Sequence, residues 1–185
     1  MISKEEALEI LKDNIGNKNL RKHHYAVAAA MRALAERYGG SPDKWEIVGL
    51  LHDADYEETK DNPDRHGLVM AEKLTEMGIA DDIARAIEAH NYEHTGTMPE
   101  SNMEWALVTC DDLTGLIVAV ALVHSAKLAG ISVESVMKKF GSKSFAAGAD
   151  RERISLCETK LNIPLEEFVG LVLEAMKGAA KELGL

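Results

Sequence analysis

Apolar residues in this chain recur every three to four positions, and period-two alternation bounded by turn signals is almost wholly missing. That pattern constrains the fold more than any other feature, because a strand alternates its faces at every residue while a helix returns to the same face after about 3.6. Ser3-Lys4-Glu5-Glu6 reads as a capping box, in which a serine hydroxyl and a glutamate three residues on satisfy early amide donors reciprocally. Ala7, Leu8, Ile10 and Leu11 supply the apolar face of a first helix that ends at Gly16-Asn17. A second helix is predicted from about Asn19 to Tyr38, with Leu20, Val27, Met31 and Leu34 on one side and Gly39-Gly40 as its stop. Ser41-Pro42 opens a third, which carries Trp45, Val48 and Leu51 and ends near His52-Asp53.

After a polar loop over 57–63, a fourth helix starts near His66 and is terminated by Gly78. A fifth runs from Asp81-Asp82 to His90, and a loop over 91–99 leads to a long apolar helix from about Asn102 to His124. Ser132 caps another short helix, and Pro164 starts the last, with Leu165, Phe168, Leu171, Val172, Leu173 and Met176 turned to the core. No repeat, low-complexity tract or linker interrupts the 185 residues, a length that suits one domain with its own core. The expected architecture is a single all-α helical bundle over 1–185, with a core over about 20–123 and the helices of 124–185 packed on it.

The formal net charge of -10 repels polyanions, so neither a nucleic-acid polymer nor an anionic membrane is an expected partner. A homo-oligomer is left open. Cys110 and Cys157 belong to no Cys-x-x-Cys pair, which argues against a zinc knuckle, a redox motif or a disulfide scaffold. The opening residues Met1 to Glu6 lack the apolar core of a signal peptide, and the longest uninterrupted apolar run, Leu116 to Val123, has eight residues. A cytoplasmic protein is expected. No Gly-x-Ser-x-Gly occurs to support a serine nucleophile.

The candidate chemistry lies in histidines and aspartates. His52-Asp53 closes the apolar run Ile47-Val48-Gly49-Leu50-Leu51, and so delivers an imidazole and a carboxylate together to the end of a buried segment. Divalent metals favour that nitrogen-plus-oxygen mixture. His23, His66 and His90 fall at or near the ends or inner faces of other helices, and Asp111 sits in the middle of the long apolar one. A carboxylate there needs a partner, because an unpaired buried charge is worth several kcal/mol of destabilisation, roughly.

These residues resemble the HD superfamily of metal-dependent phosphohydrolases, whose pattern is a helix histidine, then His-Asp, then a distant aspartate. The matching segments are Lys22-His23-His24-Tyr25-Ala26-Val27-Ala28, Gly49-Leu50-Leu51-His52-Asp53 and Thr109-Cys110-Asp111-Asp112-Leu113. Periodicity does not choose between His23 and His24. The family's histidine precedes its Val-Ala by four residues, which selects His23 and leaves His24 to packing or a surface hydrogen bond. The family's aspartate follows a small residue, which selects Asp111 over Asp112, its neighbour about 100° around the helix.

The resemblance implies one divalent ion (manganese, iron, cobalt, nickel, zinc or magnesium) on His23, His52, Asp53 and Asp111, with Asp53 or Asp112 accepting a proton from water. In two-metal members two further histidines hold a second ion; here His66 and His90 occupy that interval, with hydrogen bonding to a substrate phosphate as their alternative role. His94 and His124 are expected to stand apart.

Between His124 and Arg153 six basic residues face three acidic ones, and Lys138, Lys139 and Lys143 are candidate phosphate contacts, a solvated face being the competing reading. The expected function is hydrolysis of a small phosphorylated compound or nucleotide. Its rivals are a di-iron, dioxygen-using member of the same superfamily and a nucleotide-binding signalling domain without catalysis.

Overall fold

A computed structural model of the protein describes residues 2–185, and among them there are helices and no strand. Met1, the first residue of the segment read for a leader, lies outside them. The helices are α1 (Lys4–Asn14), α2 (Lys18–Tyr38), α3 (Pro42–Leu51), α4 (Tyr56–Thr59), α5 (Leu68–Glu76), α6 (Asp81–His90), α7 (Tyr92–Thr95), α8 (Asn102–Leu122), α9 (Lys127–Gly130), α10 (Val133–Phe140), α11 (Arg151–Lys160), α12 (Leu165–Gly178) and α13 (Ala180–Leu183). The caps follow the reading of the sequence: Ser3 and Glu6 form the capping box of α1, with Glu6 N–H donating to Ser3 Oγ at 3.1 Å and Ser3 N–H to Glu6 Oε2 at 2.7 Å. Ser101 and Glu104 do the same for α8.

One continuous apolar cluster runs from Ala7 on α1 to Leu183 on α13. Two long helices, α2 and α8, cross at its centre; α3 lies along α2, α6 and α11 flank α8, and α12 closes the far side of α2. The α2–α3 crossing is set by Gly49. A methyl group there would stand 2.6 Å from Ala28 Cα, closer than two carbon atoms can approach, so the backbones meet only because position 49 has no side chain. This close approach brings the histidines of α2 alongside the end of α3. From the C-terminal half, Tyr38 on α2 donates its hydroxyl to Leu161 O at 2.9 Å, and Phe168, Val172 and Met176 of α12 are fully buried.

The single turns α9 and α13 are unanticipated, and three further features differ from expectation. The segments read as loops, 57–63 and 91–99, each hold a single helical turn, α4 and α7. Helix α11 is not anticipated by periodicity, because Arg-Glu-Arg-Ile-Ser-Leu-Cys-Glu-Thr-Lys buries only Ile154 and Cys157. It is fixed instead by Asp150, whose carboxylate accepts from Glu152 N and Arg153 N, and by packing on α8. Finally, α8 is long and apolar enough to cross a membrane by length and composition, which its eight-residue uninterrupted run does not suggest. Of its most apolar window, 67% is buried inside the protein, as befits the central helix of a bundle.

Candidate metal centre

Helix α3 is buried on nearly every side, and its end carries His52 into the interior with no exposed surface. The ring is fixed by Nδ1–H donating to Gly49 O at 2.9 Å, so Nε2 is the ring atom that faces inward. That nitrogen is buried and has no hydrogen-bond partner; the nearest oxygens, Asp53 Oδ1 and Asp111 Oδ1, lie 3.4 Å and 3.6 Å away. An orphaned buried polar atom costs about 1–3 kcal/mol unless something occupies the position it faces. A metal ion fits that requirement.

Helix α2 supplies His23, whose Nε2 is 2.9 Å from Asp111 Oδ1 and 3.9 Å from Asp53 Oδ2. Its neighbour His24 points elsewhere: it is buried, with Nδ1 2.9 Å from Leu50 O and its ring 5.1 Å from that of His52. Burial first, and His52 second, push His24 down to about 3, so it packs as a neutral imidazole. On α8 the two aspartates diverge likewise. Asp111 meets His23 and His52, whereas Asp112 accepts from Asp150 N at 2.9 Å and lies 3.6 Å from Arg153 Nε.

A second group of donors shares Asp53 with the first. His66 Nε2 and His90 Nε2 each lie 3.1 Å from Asp53 Oδ1, and 3.2 Å from one another. Each ring is again held from behind: His66 Nδ1 donates to Asp55 Oδ1 at 2.8 Å, and His90 Nδ1 donates to Ile87 O. Asp55 is fully buried and also accepts from Gly67 N and Met70 N, both at 2.9 Å, so one carboxylate orients His66 and anchors the start of α5. Gly67, with φ at +84°, permits this turn; a methyl group there would meet Ile87 O at 2.9 Å and the His90 ring at 3.3 Å. The ligand atoms of His23, His52 and Asp53 lie within 4.8 Å of one another, as do those of Asp53, His66 and His90.

The electrostatics favour positive charge throughout. Burial opposes a charge on His52 and on His66, yet Asp53 and Asp111 hold the first up at about 9, and Asp53 and Asp55 hold the second up at about 10. Burial also opposes ionisation of Asp53 and Asp111, but the surrounding imidazoles outweigh it and keep both carboxyls well below their ordinary value. Asp112 behaves oppositely: burial, then Asp111, raise it to about 6. Carboxylates that favour a protonated imidazole favour a divalent cation for the same Coulombic reason.

Of the residues singled out from the sequence, His23, His52, Asp53, His66, His90 and Asp111 converge, with Asp112 at the edge. A pocket of about 320 Å³ opens there, lined by His23, Asp111, Asp112, Gly115, Ala146, Gly148 and Ala149. Lys138, Lys139 and Lys143 are not among its lining residues; Lys138 and Lys143 are exposed, and Lys139 Nζ sits 4.6 Å above the Phe145 ring. His94 pairs with Asp64 at 3.0 Å, and His124 is exposed, so both stand apart as expected. A larger groove of about 690 Å³ between α1, α2 and the C-terminal helices contains none of these histidines or aspartates.

Neither Asp55 nor Arg153 is singled out by the sequence, although Arg153 belongs to its late basic cluster. Asp55 carries no periodic signal beyond its place two residues after Asp53. Arg153 comes from α11, where it donates from Nη2 to His90 O at 2.8 Å.

Comparison with known proteins agrees with this geometry. The profile of the HD domain matches residues 20–125, the span that holds all six converging residues. The chain is also similar to an uncharacterized protein of Methanocaldococcus jannaschii, 30% identical over 167 residues, covering 85% of this chain and 96% of the relative. With more than half of its length matched and the motif residues gathered around one centre, the chain belongs to the HD domain family.

Proposed function

We propose that this protein is a metal-dependent phosphohydrolase acting on a small phosphorylated compound, with His23, His52, Asp53 and Asp111 holding one divalent ion and Asp53, His66 and His90 a second. The observation that carries this reading is the sharing of Asp53 between two donor groups, one with His23 and His52 and the other with His66 and His90. Divalent ions bound there act as Lewis acids toward a phosphoryl oxygen and make hydroxide available from water near neutral pH.

The chain's own residues hold and orient. Gly49 O, Asp55 and Ile87 O lock the Nδ1 side of His52, His66 and His90, which fixes where each Nε2 points. Asp53 Oδ1 is approached by His66 and His90 at 3.1 Å and Oδ2 by His23 at 3.9 Å, whereas Asp112 lines the pocket with no imidazole against it, which supports Asp112 over Asp53 as the acceptor of a proton from water. A pocket of about 320 Å³ is at the small end of the range for ligand sites and favours a compact substrate such as a phosphomonoester or a single nucleotide over a polymer. The net charge of -10 supports the same choice.

The test is phosphate release from a panel of nucleotides and sugar phosphates by protein loaded with manganese or cobalt under anaerobic conditions. Turnover there, lost in Asp53→Ala with the fold intact, supports hydrolysis. The four-histidine, two-aspartate set also suits a di-iron oxygenase. Two irons per chain, oxygen uptake on adding substrate and no anaerobic phosphate release would replace the first reading with that one.

A further inference from the structure

The lining of the pocket beside Asp111 contains two carboxylates and, among the described residues, neither a lysine nor an arginine. A phosphorylated substrate entering it needs positive charge beyond the metal centre, and the lysines expected to provide it are turned elsewhere. Two arginines reach the pocket wall from the start of α11. Arg151 is committed to structure through both Nη atoms, which donate to the carbonyls of Phe145, Ala146 and Ala149 and hold the turn that forms one wall, although its Nε is buried without a partner.

Arg153 is differently placed. Its side chain is 20% exposed and wedged between the end of α6 and the middle of α8. Nη2 is anchored on the carbonyl of His90, itself one of the converging histidines. Nε is 3.6 Å from Asp112 Oδ2, beyond hydrogen-bond range, and is buried with no hydrogen-bond partner. A guanidinium N–H that is buried without a hydrogen bond, and paired with Asp112 only at 3.6 Å, is an unusual expenditure of stability for a mere helix fastening, which a neutral side chain would serve as well. Arginine also presents a planar fork matched to phosphoryl oxygens and keeps its charge at any physiological pH.

We propose that Arg153 is the substrate-binding cation of this site, contacting the phosphoryl oxygens from between His90 and Asp112. The proposal rests on the phosphohydrolase reading, and its test separates the two. Inorganic phosphate is titrated calorimetrically into the manganese-loaded full-length protein and into Arg153→Gln and Arg153→Lys, with manganese content and thermal midpoint measured on each. Arg153→Gln is expected to weaken phosphate binding by about tenfold or more at unchanged manganese content, the scale of one charge-assisted hydrogen bond. Arg153→Lys should fall between, since an ammonium keeps the charge and loses the fork.

Wild-type phosphate affinity in Arg153→Gln overturns the proposal while leaving the phosphohydrolase reading intact. If Arg153→Gln does not fold, Arg153→Lys decides: unchanged affinity overturns the assignment, and weakened affinity at full manganese content supports it. Loss of phosphate binding that tracks loss of manganese makes Arg153 a structural fastening and overturns it too. Wild-type protein that holds manganese, binds no phosphate and releases none from the panel overturns both readings.

Discussion

His66 and His90 bring their Nε2 atoms to 3.2 Å of each other across the oxygen of Asp53 that both approach at 3.1 Å. With each Nδ1 proton directed to Asp55 or Ile87, both Nε2 atoms turn toward the same Asp53 oxygen, and the carboxylates that favour a protonated His66 favour a shared cation there for the same Coulombic reason. The spacing suits such a cation: two metal–nitrogen bonds of ~2.1 Å, diverging by about 100°, end about 3.2 Å apart. Elemental analysis should therefore find two equivalents of divalent metal per chain, one in His66→Ala or His90→Ala, and none in Asp53→Ala. One equivalent in the wild type, unchanged in His66→Ala, would show that this pair holds no ion.

His23 and His24 are adjacent, yet only His23 faces Asp111. His23→Ala should lower metal content, whereas His24→Leu should retain it. The second change leaves Leu50 O without its buried donor, so it should still destabilise the fold by about 1–3 kcal/mol in denaturant unfolding. Equal metal loss in both variants would contradict the assignment.

Asp55 joins the ring of His66 to the start of α5. Asp55→Ala strips the acceptor from two buried amides, Gly67 N and Met70 N, and should reduce stability by at least about 2 kcal/mol. Asp55→Asn keeps an acceptor oxygen but gives up the charge behind His66. It should fold and bind the second metal roughly 10- to 100-fold more weakly, the usual scale for losing a group that orients a ligating histidine. Competition with a chelator of known affinity measures this directly.

Gly49→Ala places a methyl group against Ala28 in the α2–α3 crossing. Helices forced apart there should lower stability by about 1–3 kcal/mol, the scale of overpacking a filled core. Metal affinity should fall alongside, because the same crossing sets His23 against His52. A thermal midpoint equal to that of the wild type would show that the crossing relaxes freely.

Much of this was legible along the chain because it is local. Ser3, Ser41 and Ser132 announce helix starts, and apolar residues at helical spacing mark the faces turned inward. The motif segments around His23, His52-Asp53 and Asp111 name the candidate metal ligands through their resemblance to the HD pattern. What remained open was rotational and long-range. Neighbours on a helix point about 100° apart, so periodicity alone leaves His23 with His24, and Asp111 with Asp112, undecided; packing of α2 and α8 against α3 turned one of each pair to the centre.

Helix α11 carries too few buried apolar residues to register as periodic, and it forms because Asp150 caps it and α8 receives it. Asp55 and Arg153 acquire their places from partners 11 to 63 positions away, Gly67, His66 and Met70 for the first and His90 for the second. Linear sequence thus determined most of the helices, which follow from short-range backbone and side-chain preferences, and named the donors through their resemblance to the HD pattern. Only the tertiary fold decided which donors meet, because that depends on the relative rotation and closeness of helices that no local pattern encodes.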